Sequence, residues 1–525
     1  MRPKKKVVLH MQNHLLIFAC LCLVVLAGTG CGEGKDRGYS RESTIVVLHP
    51  GDERALGPYW DMSGQFLVFL PLAVRNEDGQ YKGKLAQRWE HSADYREWTY
   101  HLRRGVRWHD GVPVTAHDVK FTMELWRHPG VLVVSPSFFK SITVLDDYTL
   151  KVVYAKPRFS IDDWGTYYPK HLLEHLDPEN FSHWEFWKHP VGNGPYRYLR
   201  RVPKTMIELE ANPDYYRGKP RIERVILKFG GSRAVIELLS GNVDAVSLMN
   251  RVEVPKLAGD PRFQVYHEME PGWLLAIYWN HRNPLFTERT VRAALAHAVN
   301  RRELLQALYL PENLPIFDVI FTTRQFQRGE LPSPLPYDPQ RARWLLERAG
   351  WVDTDGDGVL EREGIEFRFT AIVPASGGYE GNALPQAAVY VQEQLRKVGI
   401  RMEVSAAEAS IIRQRVREGE FEAAFTRFFN QTDAHLRWFG KPSPIGYQNP
   451  TVSELLIEAG DAANPDRKDA IYRELMEIFG ADMPLTFLHP QVYTFVAHRR
   501  IRGLSTPFRG NPVRYLEYLW IEEEN

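Results

Sequence analysis

Cysteine is nearly absent from this chain of 525 residues; the only three are Cys20, Cys22 and Cys31. Everything beyond residue 31 therefore lacks a disulfide framework and must be held by its own core. Long apolar runs are just as scarce. Leu15–Gly28 is the one candidate, and it falls short of the ~20 residues of a comfortable bilayer span, which excludes a polytopic membrane protein. Charge of one sign is missing too: 66 Lys and Arg stand against 65 Asp and Glu, so nothing global argues for nucleic acid. Residues 44–525 contain no Ser/Gly-rich linker, low-complexity tract or clear internal repeat. They also carry no G-x-S-x-G elbow and no Walker loop, so nucleophilic and phosphate-cradling chemistry have no motif to rest on.

What is present describes a large folded protein. Hydrophobic residues make up 44% and charged residues 25%, and ~150 residues per domain gives roughly three units. Fourteen Trp, 24 Tyr and 26 Phe supply a core with rings left over to line a cleft.

The first thirty residues read as an address. Arg2, Lys4, Lys5 and Lys6 precede the apolar run, and the small residues Gly28, Thr29 and Gly30 close it, the three-part pattern of a secretory signal. Removing that leader leaves 62 basic against 65 acidic residues, a mildly acidic remainder. Cys31 then stands at the new N-terminus ahead of Gly32-Glu33-Gly34-Lys35-Asp36. This arrangement resembles a bacterial lipoprotein, in which that thiol takes a diacylglycerol. The usual apolar residue three before the cysteine is Gly28 here, with Leu26 two positions further back. Simple secretion and a retained anchor helix are the other readings of the segment. Residues 31–43 read as a polar tether.

Strand and helix signals alternate at short spacing through the rest, which argues for α/β lobes. Thr44–His49, Ile222–Phe229, Val243–Leu248, Phe367–Val373, Ile400–Val404 and Phe421–Phe425 read as strands. Helices are expected near Ser232–Leu239, Ala387–Val398, Ala407–Arg417 and Pro465–Phe479. Thr115 to Asp118 forms a capping box that opens a further helix through Trp126. Repeated strand–helix–strand units place strand ends around a crevice, the usual ligand position in such folds.

Several blocks, in order, carry a family resemblance. They are Leu85–Glu90, Trp98–Gly111, Pro113–Val119, Gly192-Asn193-Gly194-Pro195-Tyr196, Asn212–Tyr216, Gly241–Asp244, Asn280, Pro284–Phe286, Val291–Leu295 and Asn300-Arg301-Arg302. The chain is similar to the large solute-binding receptors of bacterial ABC importers, family 5, which take up oligopeptides, dipeptides, nickel chelates and some sugars. The resemblance implies an α/β, two-lobed periplasmic-binding-protein clamshell (class II, type C-like) with an extra third domain. Lobe one would comprise 44–75, 190–281 and 489–525, the extra domain 76–189, and lobe two 282–488. A monomer that closes on a small-molecule or peptide ligand and docks on an ABC permease is implied, anchored at the outer face of the cell membrane by its lipid.

Candidate binding residues follow from that resemblance. Peptide-binding members commonly carry an aromatic residue, an Asp three positions on that pairs with the ligand's α-ammonium group, and a second acid three further. Placing Asp433 on the second acid puts Asn430 on the amine position and Arg427 on the aromatic one. Asn cannot neutralise an ammonium, so the solute either is read by other groups or is not a free-amine peptide; an anionic or carboxylate-bearing solute suits Arg427 better. Trp279, Asn280 and Trp438 are further candidates where the family crosses between lobes, with Trp273 and Tyr278 assigned to packing.

Two motifs point elsewhere. His171-Leu172-Leu173-Glu174-His175 fits the H-x-x-E-H zinc pattern, which makes an exported metallohydrolase the alternative function, although it needs a third ligand. Asp353-Thr354-Asp355-Gly356-Asp357-Gly358 begins like a calcium loop, but its twelfth position is Gly364 rather than Glu. Any calcium there is structural, and no other cofactor is expected. Gly230-Gly231 before a helix is a weak anion site. A sensor that presents ligand to a signalling partner is a third reading, for which the chain has no signalling domain.

Overall fold

The computed structural model describes residues 41–49, 62–76, 80–131, 134, 136–161, 165–230, 233–248, 251–375, 383–430, 432–504 and 512–522. The leader, Cys31, Gly231 and the tether up to residue 40 lie outside the described residues. No helix among the described residues is long and apolar enough to cross a membrane.

One ten-stranded sheet runs through the molecule. From one edge its strands are Arg401–Ala407, Arg368–Pro374, Ala423–Phe429, Phe263–Trp279, Leu485–His498, Ala245–Leu248, Thr44–His49, Arg224–Phe229, Met206–Ala211 and Tyr196–Val202. The first three form parallel pairs, with helices Ala383–Arg396 and Ala409–Glu418 as their crossovers. Thr44–His49 is parallel to both of its neighbours. Strand–helix alternation is thus the sequence trace of two βαβ halves, as the periodicity predicts.

The two central strands belong to both halves. Phe263–Trp279 and Leu485–His498 pair antiparallel from Phe263 opposite His498 to Tyr278 opposite Leu485. Their register breaks between Glu270 and Leu274 and again between Leu275 and Ala276. Such irregularities bend a strand and interrupt its ladder. On one side of the break Phe263 packs with Leu48, Leu238 and Val496. On the other, Leu275, Ile277 and Trp279 join one core of the second lobe, and Leu274, Ala276 and Tyr278 join the core on the opposite face of the sheet. Successive side chains join opposite cores because they point to alternate faces of a strand that is covered on both sides. The change of core along this strand coincides with the register break at 270–274.

The segment 86–154 makes a separate four-stranded antiparallel sheet, ordered Ala86–His91, Glu97–Leu102, Thr149–Tyr154, Phe139–Asp146. Helix Ala116–Trp126 packs beside it and opens as expected: the Asp118 carboxylate accepts from the Thr115 N–H at 2.8 Å. This sheet shares one continuous apolar core with lobe one, in which Tyr100, Trp108 and Leu150 pack with Ile45, Val47 and Tyr196.

Many of the recognisable sequence blocks brace this scaffold. A Cβ on Gly192 would stand 1.9 Å from the Val68 carbonyl oxygen, and Asn193 Oδ1 accepts from the Leu70 N–H at 2.8 Å. Arg292, almost fully buried, donates to the carbonyls of Phe286, Thr287, Asp482 and Met483. Asp244 accepts from the Val46 N–H at 2.7 Å and from Arg500 at 2.7 Å.

The buried pair Arg301–Asp318 ties helix Arg301–Ala307 to the segments at Asp318 and Leu335. Arg301 Nη2 donates to Asp318 Oδ2 at 3.1 Å and to the Leu335 carbonyl at 2.7 Å, while the Leu335 N–H donates to Asp318 Oδ2 at 2.6 Å. Both side chains are buried. Asp318→Ala strands the guanidinium and is expected to cost about 3–5 kcal/mol of stability. Urea unfolding of Asp318→Ala against wild type measures it; a loss under ~1 kcal/mol would contradict this account.

Candidate ligand-binding site

A cavity of about 530 Å³ opens between the small sheet and the second lobe. Its first wall is Arg75 and the stretch from Ser137 to Ser160, including Phe138, Tyr154, Lys156, Arg158 and Phe159. Its second wall is Phe321–Arg324, Asn430, and the face of helix Pro465–Asp482 that carries Pro465, Lys468, Asp469 and Tyr472. Those four positions recur at the three-then-four spacing of one helix stripe. A smaller space of about 470 Å³ adjoins it, sharing Phe159, Arg324 and Pro465.

Local sequence explains how the second wall is set. Asn464 caps the helix by accepting from the Asp466 N–H at 2.7 Å, and Pro465 takes the first helical position. Thr322 caps the next short helix, Thr323–Gln327, in a capping box with Gln325. Asp469, 1% exposed, links the two: its Oδ1 accepts from the Thr322 hydroxyl at 2.9 Å, and its carbonyl accepts from Gln325 Nε2 at 3.0 Å. Arg324 and Arg328 lie 3.4 and 3.7 Å from its other oxygen. A carboxylate inside an otherwise apolar stripe (Ile471, Tyr472, Leu475, Met476, Phe479) was the one signal in the sequence for this helix.

Rings and cations furnish the first wall. Phe138 and Tyr154 meet edge to face at 5.6 Å, and the Arg158 guanidinium lies over both. Two contacts bridge the walls: Lys156 to Asp461 at 3.3 Å, and Lys468 over the Phe159 ring at 5.2 Å. Among the described lining residues, Arg75, Lys156, Arg158, Arg324 and Lys468 outnumber the single carboxylate of Asp469.

Of the residues expected from sequence, Asn430 lines this cavity. Arg427, two strand positions from Phe429, lays its guanidinium over the Trp273 ring at 4.9 Å, and that ring leans on Phe429. Trp279 is a correction: it is 1% exposed, with its indole N–H on Thr486 Oγ1 at 3.0 Å and its ring against Phe286 and Phe369. Asn280 is another, since its amide donates to the Gly419 and Phe421 carbonyls and closes a turn. Trp438 packs edge-on to Tyr278 at 4.9 Å. Apolar rings on a strand look alike in sequence whether they face a cleft or a core. The Asp433 side chain lies outside the described residues.

The zinc pattern does not assemble. Its helix spans only Lys170–Leu173; His171 Nε2 lies 2.7 Å from Asp110 Oδ2, and Glu174 pairs with Lys170. Among the described residues the one group able to hold a metal is Asp353, Asp355, Asp357 and Glu361, their ligand oxygens within 4.8 Å of one another. The loop recruits Glu361, three residues before the position searched in the sequence. Asp353 also accepts from the Gly356 and Gly358 N–H groups.

A model of the bacterial extracellular solute-binding proteins, family 5 (middle region) matches residues 80–444. The chain belongs to this family. It is 27% identical over 418 residues to the oligopeptide-binding protein AppA of Bacillus subtilis, covering 74% of each chain. It is 25% identical over 505 residues to the nickel-binding periplasmic protein of Escherichia coli, covering 89% of this chain and 91% of the relative. Among solved structures it is similar to a peptide-binding protein AppA described as putative, from Clostridium difficile, with a TM-score of 0.78 at 20% identity over 91% of this chain and 100% of that one. The fold is thus the two-lobed clamshell, and the family 5 chain is an exported substrate-binding component of an ABC importer. Nothing supports the metallohydrolase reading.

Buried imidazoles give the receptor a defined acid response. Burial lowers His109, His281 and His489 from 6.5 to about 4, and His435 to about 3. Unfolded, these groups take up protons as pH falls below 6.5; folded, they resist until about 4. Stability is therefore full above about 6.5 and lost as pH falls through that window. Urea midpoints at pH 7.5, 6 and 5 are expected to decline in order, and a constant midpoint would count against the burial of these rings.

Proposed function

We propose that the cavity between Phe138–Ser160 and Phe321–Tyr472 holds a peptide-like small solute, which lobe closure about the crossing strands encloses for transfer to the permease. The observation that carries this is a concave, ring-lined and charged space between the small sheet and the second lobe. Ligand sites in folds of this kind are apolar clefts with a few placed polar groups. The function is binding: closure follows from tighter contact with ligand in the closed than in the open state, and no covalent step is assigned. A monomer suffices, because both walls come from one chain.

Export ends, on this reading, with lipidation of Cys31, and residues 31–43 tether the receptor to the outer face of the membrane. The basic start, short apolar run and lone cysteine support it. No cofactor enters the mechanism. Calcium at Asp353, Asp355, Asp357 and Glu361 would tie down an exposed loop that lines neither cavity.

Two measurements test these points. Native mass spectrometry of protein purified gently from cells is expected to show a small bound mass, released on denaturation and lost in Phe138→Ala/Tyr154→Ala. Retention of the same mass by that variant would move the binding site elsewhere. Cys31→Ser is expected to shift the protein from the membrane to the soluble fraction, and unchanged partitioning would dismiss the lipid anchor.

A further inference from the structure

The floor of the cavity has a fixed hydrogen-bonding polarity, and it can be traced atom by atom. Asn430 follows strand Ala423–Phe429, and its N–H donates to the Gly272 carbonyl at 2.8 Å. Its side-chain amide faces the backbone of Phe321 at two points: Oδ1 lies 3.4 Å from the Phe321 N–H, and Nδ2 lies 3.2 Å from the Phe321 carbonyl. Rotating the amide by half a turn would oppose donor to donor and acceptor to acceptor. The backbone of Phe321 therefore sets which end of Asn430 is which.

That assignment fixes the next group. His435 is fully buried, stacked parallel on Phe428, with Nε2 2.9 Å from Asn430 Oδ1 and Nδ1 2.9 Å from the Tyr472 hydroxyl. Burial and the nearby Lys468 charge hold its pKa to about 3, so the ring is neutral and carries one proton. Since Asn430 offers Nε2 an oxygen, the proton is on Nε2, and Nδ1 accepts from the Tyr472 hydroxyl. Both lone pairs of Asn430 Oδ1 are then taken, one by His435 and one by Phe321. What Asn430 has left is a single N–H on Nδ2.

We infer that the solute places a carboxylate or acyl oxygen, and not an ammonium group, against Asn430, and that His435 is the positioning residue that makes this so. The inference rests on the cavity being the binding site, as proposed above, and names the chemistry that site takes. An ammonium brings only donors to a position that has only a donor to offer. An oxygen acceptor completes the Asn430 amide, on a wall that also carries Lys468 and Arg324. An Asn side chain with a free oxygen could accept one bond from an ammonium; the contacts with His435 and Phe321 remove that option.

The test compares two probes of equal length by isothermal titration calorimetry with the purified protein. N-acetyl-trialanine has a carboxylate and no ammonium, whereas trialanine amide has an ammonium and no carboxylate. The acetylated acid is expected to bind at least about tenfold more tightly, a modest figure for a site with one mismatched polar group. Equal affinity, the reverse order, or no binding of either probe overturns the inference; the receptor reading then rests on the mass-spectrometric result alone. Long-range proton–nitrogen NMR of His435 supplies a readout independent of any ligand. It should report a neutral ring protonated on Nε2 throughout pH 5 to 8. A ring protonated on Nδ1, or one that titrates in that range, overturns the inference as well. Asn430→Asp restores acceptors at the floor and is expected to reverse the preference between the two probes. Wild-type comparison and NMR both stand if that variant fails to fold.

Discussion

Everything in this molecule hangs on the antiparallel ladder between Phe263–Trp279 and Leu485–His498. Each lobe builds outward from it, one by way of Ala245–Leu248 and the other by way of Ala423–Phe429. A ladder of backbone hydrogen bonds is stiff along the strands, but it yields at the irregularity between Glu270 and Leu274. The lobes thus share a hinge without sharing a core: the residues packed around Phe263 and those packed around Leu274–Trp279 are separate clusters. Relative motion then costs little packing, which a receptor that opens and closes requires.

What holds the cleft shut without ligand is weak by comparison. Lys156 and Asp461 meet across its mouth, but both are half-exposed, and such pairs contribute about 0–1 kcal/mol. Lys468 over Phe159 adds a contact of similar rank. Neither of these two contacts alone supplies the several kcal/mol needed to dominate an open–closed equilibrium. Phe138 and Tyr154 give the cavity wall apolar area, and Asn430 gives it a polar amide.

The sequence exposed the scaffold far better than the site, for a physical reason. Gly192 is a glycine because Val68 leaves no room for a Cβ; Arg292 is committed to backbone carbonyls, Arg301 to Asp318, and Asp244 to the Val46 N–H and Arg500. Such constraints are local or bind fixed backbone atoms, so they leave recognisable blocks. Leu274–Trp279, buried throughout, lies in an apolar run with Pro271-Gly272 before it and Asn283-Pro284 after it, although it is not among the strands expected from sequence. The walls of the cleft follow no such rule. Phe138 and Lys468 come from segments with no periodic relation, and only the closed chain brings them together. Asn430 was reachable by placing an acid on Asp433, yet its orientation depended on Phe321 and His435, whose roles no spacing announces. A ring carries no mark in the sequence of which side it faces: Trp279 lies buried in a strand, whereas Trp438 lies half-buried in a helix against Tyr278.

The pairing order also governs how the chain can fold. Thr44–His49 needs Arg224–Phe229 on one side and Ala245–Leu248 on the other, and that last strand needs Leu485–His498. The sheet that holds this strand is therefore not complete until Leu485–His498, more than four-fifths of the way along the chain, has been made. Contacts so distant in sequence form slowly, since loop closure must precede any reward. During synthesis the ribosome releases a polypeptide whose central sheet is still incomplete. Every shorter length of the chain lacks Leu485–His498, so the two lobes have no joining ladder until nearly all of it exists.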